Sequence, residues 1–360
     1  MQQQHNIPRT ALHIVVLAIA ISTSLNADEE PCIQGKPVSE LLKQLRSDNR
    51  GLQLRAARAL AEAPENLRES LVPPLIEILK SERENDRFSA AQVLGEYGKV
   101  ARKAVPALLP LLEGTQYERN RAAGAKALGQ ILKDAEPSEE VDKVVEALIK
   151  LFKDPYPDVR REAATACGMI GPAAKACIPH LKPLLEEPPG ADPNMVSVAA
   201  AWTCERMGIL AKEHVDLLIA LMHRYASYKT PAYVLALGAI GPIQDNIVPN
   251  ILDKMEQTDQ SIWWQIAPYQ VLEKFGPKAA PAVDLLERFL RENKLPPHLV
   301  VQTMKTLRAI GPAAKKALPT IEAYSKIKSY HQRYGGPAKP EEVDEIKKEA
   351  EATLKALQKD

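Results

Sequence analysis

Apolar residues recur along most of the chain at the spacing of a buried helix face, and each such run ends at a glycine. Apolar side chains stand one, four and seven positions before six glycines, which are Gly98, Gly171, Gly208, Gly241, Gly276 and Gly311. Positions with these offsets lie on one side of an α-helix. The glycine supplies a C-terminal cap, and the proline that follows four of the six stops the helix. The pattern predicts a set of amphipathic helices with equivalent buried faces.

A new helix is predicted after each of these glycines. Eight residues later stands proline or aspartate, residue types suited to a first helical turn. With three further starts, the predicted first helices are marked by Ser39, Pro73, Pro106, Asp142, Pro179, Asp216, Pro249, Asp284 and Pro319, at spacings of 33 to 37 residues. One helix pair cannot bury its apolar face alone, so the pairs must stack. The sequence therefore predicts an all-α solenoid of about nine helix–turn–helix repeats.

Charge and composition narrow the classes of function. The chain has 360 residues, with 47 basic and 46 acidic side chains. A nucleic-acid-binding protein usually carries a basic excess, because neutralising phosphates drives its affinity. With so small an excess of basic side chains, we expect no nucleic-acid partner. Aromatic residues make up only 5% of the chain, which favours helices over sheets.

The N-terminus has the pattern of a targeting signal. Arg9 precedes an apolar run over residues 11–21, and small residues follow up to Ala27. This pattern predicts a signal peptide at residues 1–27, a short leader at 28–37, and an extracytoplasmic protein, periplasmic or secreted. An uncleaved anchor is the alternative, but about 20 apolar residues are needed to span a bilayer. We expect no stable membrane insertion after cleavage.

The segment Asp154–Ala164 is the most characteristic of the repeats and reads DPYPDVRREAA. It resembles the D-x-x-P-x-V-R-x-x-A-A segment of the HEAT-repeat family, including its bacterial HEAT-like branch. The resemblance covers residues 38–325 and implies a right-handed α-solenoid whose second helices line the concave surface. In this family, arginines in the place of Arg87, Arg121 and Arg160 usually pair with turn acids of neighbouring repeats. A strip that binds anions is the alternative for this row.

The C-terminus departs from the repeat pattern, and residues 326–360 are predicted to form a capping segment. Residues 339–360 indicate one charged helix with a single apolar face, formed by Val343, Ile346, Ala350, Leu354 and Leu357. A solenoid needs a terminal unit with a polar outer face to stay soluble. A partner-binding tail is the alternative.

The cysteines and histidines are the first candidates for chemistry. Cys167 and Cys204 occupy a position held by leucine in other repeats, which indicates core packing. Cys177 lies near the start of a first helix, so Cys177–Cys204 and Cys167–Cys177 are both candidate disulfides in an oxidising compartment. No histidine pair has the spacing of a zinc site, and no phosphate-binding glycine loop or nucleophile elbow occurs. We expect no metal, no cofactor and no catalytic residue.

Aromatic residues are concentrated between the fifth and seventh repeats, where all three tryptophans lie. Tyr233 and Tyr269 fall on the predicted inward face. The residues predicted to point away from the core and to line a binding groove are Trp202, Arg206, Tyr228, Trp263, Gln270, His298 and Lys305. Aromatic residues and arginine are enriched at binding hot spots. Packing against neighbouring first helices or loops is the alternative.

These features predict a non-enzymatic extracytoplasmic scaffold that binds a protein or peptide on its concave face. A HEAT-like enzyme is one alternative, because the resemblance extends to bilin lyases and alkylpurine DNA glycosylases. Trp263, Trp264 and Asp259 superficially suit the glycosylase type. Both enzyme families act inside cells, which conflicts with a signal peptide. A structural component of an envelope assembly is the other alternative.

Overall fold

The computed structural model describes residues 30–114, 116–186, 195–224, 230–257, 266–293, 295–331 and 337–359. These residues form α-helices, short 3-10 helices and one small β-hairpin. The chain divides into two compact units, Met1–Leu132 and Lys133–Asp360. Within the described residues, no helix combines the length and the apolar character needed to cross a membrane.

The smaller unit opens with an antiparallel hairpin of β1 (Cys32–Ile33) and β2 (Lys36–Pro37). Its helices are α1 (Val38–Leu45), α2 (Arg50–Ala61), α3 (Glu65–Leu79), α4 (Glu84–Glu96), α5 (Val105–Leu108) and α6 (Glu118–Ile131). 3-10 helices flank α5 at Gly98–Ala104 and Leu109–Leu112. The second helices of its repeats, α2, α4 and α6, pack on one another in sequence order.

The larger unit continues the alternation of first and second helices. Its first helices are α7 (Glu139–Leu151), α9 (Lys182–Leu185), α11 (Val215–Arg224), α13 (Ile247–Gln257), α15 (Val283–Arg291) and α17 (Leu318–Ser325). Its second helices are α8 (Pro157–Ile170), α10 (Val196–Met207), α12 (Thr230–Ile240), α14 (Ile266–Phe275), α16 (Pro297–Ile310) and α18 (Pro340–Leu357). Its 3-10 helices are Gly171–His180, Gly208–His214, Gly276–Ala282 and Gly311–Ala317.

The break glycines have the backbone geometry that the sequence pattern implies. All six have a positive φ, between +54° and +94°, a region that residues with a side chain rarely adopt. The residues one, four and seven positions before them are buried, and those four before are fully enclosed. Tyr233 and Tyr269 are buried as predicted. The all-α solenoid fold is therefore confirmed.

Two predicted helix starts are wrong. Pro179 lies inside the 3-10 helix Gly171–His180, before α9 begins at Lys182. Pro73 was expected in the first turn of its helix, but α3 begins at Glu65 and contains both Pro73 and Pro74. The apolar face of this helix continues through the two prolines, with Leu71 and Leu75 buried on it. Burial of that face holds the helix together although each proline removes one backbone hydrogen bond.

The arginine row stabilises turns within its own repeats. The Nη1 atom of Arg87 donates to the Ser81 carbonyl at 2.7 Å, and that of Arg160 donates to the Asp154 carbonyl at 2.7 Å. Arg121 donates in the same way to the Gln116 carbonyl. These arginines were expected to pair with acidic side chains of neighbouring repeats, and the backbone acceptors were not predicted. Each arginine guanidinium donates hydrogen bonds to backbone carbonyls of its turn and so stabilises the turn.

Candidate functional site

Trp202 lies on a glycine of the neighbouring second helix. A Cβ atom built on Gly168 of α8 would be 2.5 Å from Cζ3 of the Trp202 ring, so the ring covers this glycine. Trp202 is half-buried on α10, and its other edge stays at the surface. The residue was predicted to point away from the core, and the structure places it across the groove between two second helices.

An apolar stripe continues from Trp202 along the outer face of the second helices. Leu235 and Ala239 of α12 and Val198 of α10 are half-buried on this face. Because α10 and α12 pack directly on each other, these half-buried side chains lie on one side of the helix pair. We call the four residues the apolar stripe. Val198 and Ala239 were missed by the sequence prediction, although their offsets of ten and two positions before a break glycine place them on the face of Trp202.

The surface becomes polar on the helices that follow. Gln270 of α14 is exposed and Lys305 of α16 is half-buried, and both share the offset of Trp202 and Leu235. His298 is exposed at the start of α16. Since α12, α14 and α16 pack in order, residues that share this offset follow one another along the stack and change from apolar to polar. Tyr228, Trp263 and Trp264 lie outside the described residues, as does Asp259.

Arg206 is fixed at the edge of the apolar stripe. Its guanidinium donates to the carboxylate of Asp134, and its Nε atom donates to the Gly168 carbonyl at 3.3 Å. The backbone N–H of Asp134 in turn donates to the Met169 carbonyl at 2.9 Å. Arg206 therefore ties α10 to α8 and to the segment before α7, while 37% of its side chain stays exposed. It contributes a preorganised charged group to the surface.

Glu205 carries a second charge beside the stripe. Burial raises the pKa of its carboxyl above the ordinary value, while Arg206 and Lys274 act in the opposite direction. Lys274 belongs to α14, so its influence on Glu205 extends across α12. Arg206, Glu205 and Lys274 therefore form a polar rim at the edge of the stripe.

Three of the four cysteines meet in the core of the larger unit. Cys167, Cys177 and Cys204 are fully enclosed, whereas Cys32 is exposed. All four are free thiols, so neither candidate pair, Cys177–Cys204 or Cys167–Cys177, is bonded in this structure. The neighbouring thiol of Cys177 and burial together raise the pKa of Cys167. Burial also raises the pKa of Cys204.

Clefts in the larger unit lie away from the apolar stripe. One of about 500 Å³ is lined by residues of α13 and α15, including Glu256, Asp284 and Arg288. Another of about 480 Å³ is lined by Tyr324 and Tyr330. Neither is lined by any of the predicted groove residues. Among the described residues, no group of three or more acidic, histidine or cysteine side chains is arranged to hold a metal ion.

Comparisons with known proteins point to one family. The family model for HEAT repeats matches residues 38–129 and 105–201. Among solved structures, yeast importin-beta (Kap95p) aligns with 89% of this chain and 45% of its own, at 13% identity and a TM-score of 0.62. The karyopherin Kap121p, bound to the extreme C-terminus of the protein phosphatase Cdc14p, aligns with 89% of this chain and 40% of its own, at 14% identity and a TM-score of 0.61. At these identities the likeness shows the fold.

A third structure relates to the enzyme alternative. The CpcE–CpcF complex of the phycocyanin lyase from Nostoc sp. aligns with 73% of this chain and 97% of its own, at 22% identity. Its TM-score of 0.43 is too low to support an inference about activity. No curated protein matches the chain by sequence. Residues 38–201 therefore match the HEAT-repeat family by sequence, and the helix pairs that follow share the fold of HEAT-repeat solenoids.

Proposed function

We propose that the protein is a non-enzymatic scaffold that binds a protein or peptide segment on the second-helix surface of its larger unit. The observation that carries this proposal is the apolar stripe of Val198, Trp202, Leu235 and Ala239, half-exposed and bordered by charges. Apolar area left at the surface is a source of binding free energy, because a partner removes it from water. Trp202 supplies the large rigid side chain typical of a hot spot.

The packing of the larger unit supports this face as the binding side. Second helices pack directly on one another from α8 to α18, whereas successive first helices touch over shorter stretches. A stack of repeats whose helices pack more closely on one side curves toward that side. The concave surface formed in this way can enclose more of a bound segment. Extended concave surfaces of repeat proteins commonly bind their partners in this way.

The chemistry of the surface indicates the kind of partner. A segment with an apolar side chain would bury it against Trp202 and Leu235. Polar or acidic side chains further along the segment would face Gln270, Lys274 and Lys305. Binding of a peptide segment has a precedent in the fold, because the similar Kap121p holds the C-terminus of another protein. That likeness supports the mode of binding and carries no information about the partner of this chain.

We further propose that the protein acts outside the cytoplasm, on the basis of the signal-like N-terminus. This segment, residues 1–27, lies outside the described residues. Fusing the first 35 residues to a reporter that is active only after export tests the proposal. Export of the reporter is the expected result, and retention in the cytoplasm would contradict it.

Selection from a random peptide library tests the binding proposal. The chain lacking residues 1–27 serves as bait, next to two variants, Leu235→Glu on the apolar stripe and Ala220→Glu on the exposed face of α11 in the same repeat. We expect selected peptides to bind the wild-type chain and Ala220→Glu alike and to lose at least tenfold in affinity for Leu235→Glu. Equal affinity for all three would place binding elsewhere on the molecule.

A further inference from the structure

The repeat junctions share one packed pair of positions in the core. Four positions before the break glycine stands a second-helix residue, and six positions after it stands a residue of the following first-helix segment. In three junctions the two positions hold leucine and alanine, all fully buried: Leu94 with Ala104, Leu272 with Ala282, and Leu307 with Ala317. At the junction of Gly171, both positions hold cysteine.

The turn at Gly171 brings these two cysteines into contact. Gly171 has a φ of +77°, which ends α8 and sends the chain back in the 3-10 helix Gly171–His180. The 3-10 helix packs against α8, and Cys167 and Cys177 are both fully enclosed in this contact. The Cys177 thiol is the largest cause that raises the pKa of Cys167, whereas burial is the larger cause for Cys204 of α10. Of the two pairings left open by the sequence, the structure favours Cys167–Cys177.

We propose that Cys167 and Cys177 are an oxidisable pair, and that their disulfide ties the end of α8 to the first-helix segment of the next repeat. The oxidant would be a disulfide donor that exchanges with protein thiols. The thiolate of one cysteine attacks the donor disulfide and releases one donor thiol. The second thiolate then attacks the mixed disulfide and releases the other donor thiol. The protein pair loses two electrons and two protons, and the donor gains both.

The exchange has to take place while the chain is folding. In the native state both thiols are enclosed, and the neighbouring Cys177 thiol together with burial raises the pKa of Cys167, which keeps it protonated. Only the thiolate attacks a disulfide, so the folded thiols are protected from both oxidant and alkylating agent. A chain that folds in an oxidising compartment would meet the donor before the core closes.

Mass mapping after refolding tests the proposal directly. A Cys32→Ser chain is unfolded, refolded with oxidised or with reduced glutathione, and alkylated in denaturant. Since the chain has 4 cysteines, the variant should take three alkyl groups after reduced refolding and one, on Cys204, after oxidised refolding. Lys175 lies between the pair and is exposed, so trypsin would yield two peptides joined by the bond. Three alkyl groups after oxidised refolding, or a bond to Cys204, would overturn the proposal.

Matched variants test whether the disulfide, once formed, also stabilises the folded chain. Cys167→Leu with Cys177→Ala introduces the pair found at three other junctions, so this double variant should fold. We expect the oxidised chain with the native pair to melt several degrees above its reduced form, and the double variant to melt at one temperature under both conditions. A native pair that bonds without raising the melting temperature would contradict the tying role.

Discussion

At the scale of single residues, Gly168 decides where Trp202 can lie. The absence of a side chain at position 168 leaves the space that the indole ring occupies, and Thr203 Oγ1 is also within 3.1 Å of a Cβ built there. Gly168 and Trp202 are 34 positions apart in the sequence, on consecutive second helices. Sequence offsets predict Trp202 on the outer face, but only the packed helices show that its ring lies over Gly168.

We predict that Gly168→Ala lowers the free energy of unfolding by about 1–3 kcal/mol, because the new methyl group collides with the ring. Denaturant unfolding followed by circular dichroism measures the change. In a Trp202→Ala background the same substitution should be neutral or stabilising, since alanine is a better helix former than glycine by about 1 kcal/mol. An equal loss in both backgrounds would show that the ring does not lie over Gly168.

Glu205 gives a prediction that depends on pH. Burial raises the pKa of its carboxyl above the ordinary 4.5, so ionisation is less favourable in the folded than in the unfolded chain. Below both pKa values the group is neutral in both states and has no effect. As pH rises through the window above 4.5, ionisation costs stability, and the cost is complete above the raised pKa.

The Glu205→Gln variant should therefore unfold at higher denaturant concentration than the wild type at neutral pH, with the difference shrinking toward pH 4. Unfolding midpoints measured across this range provide the test, with the wild type and the variant in the same buffers. A difference that stays constant with pH, or that favours the wild type at neutral pH, would contradict the account of the rim.

At the scale of elements, the sequence predicted second helices better than first helices. Six of the second helices end at a glycine with a positive φ, so their ends and buried faces can be read from one residue, as Gly171 and Cys167 show. First helices have no such marker. Prolines in α3 lie in the helix interior, and in other repeats part of the first-helix segment is a 3-10 helix, so residue type alone does not give the start.

The C-terminal helix α18 packs against α16 as the second helix of the last repeat would. Val343, Ile346, Ala350 and Leu357 are buried on it as the apolar pattern implies, whereas Leu354 is half-buried and Thr353 is enclosed. The Thr353 hydroxyl donates to the Met304 carbonyl at 3.4 Å, and Arg308 pairs with Glu349 at 2.7 Å. These contacts attach α18 to the last repeat, and the capping role of the segment stays a prediction.

We predict that Ile346→Ala lowers the free energy of unfolding by about 2–5 kcal/mol, because it leaves a cavity under α18. Lys348→Ala, on the exposed side of the same helix, should change it by less than about 0.5 kcal/mol. Denaturant unfolding of both variants is the measurement. Similar effects of the two substitutions would show that α18 does not seal the end of the stack.

At the scale of the whole molecule, the fold could be predicted and the binding surface only in part. The fold could be predicted because core packing restricts the residue types at each buried offset, and these offsets recur from repeat to repeat. Surface positions are not restricted in this way. Trp202, Gln270 and Lys305 were found because they share one offset, but Arg206 proved to be tied to Asp134, a contact between residues 72 positions apart. Such a pairing depends on tertiary packing and leaves no mark in local sequence.

The most direct measurement of the central claim is photo-crosslinking in the native cell. A photoreactive benzoylphenylalanine is introduced in place of Leu235 on the apolar stripe, and in a parallel chain in place of Ala220 on the first helix of the same repeat. We predict a discrete crosslinked partner from position 235 and none from position 220. The crosslinked product from position 235 should be lost when Trp202→Ala is added. Crosslinks of equal yield from both positions, or from position 220 alone, would contradict a binding surface on the second helices.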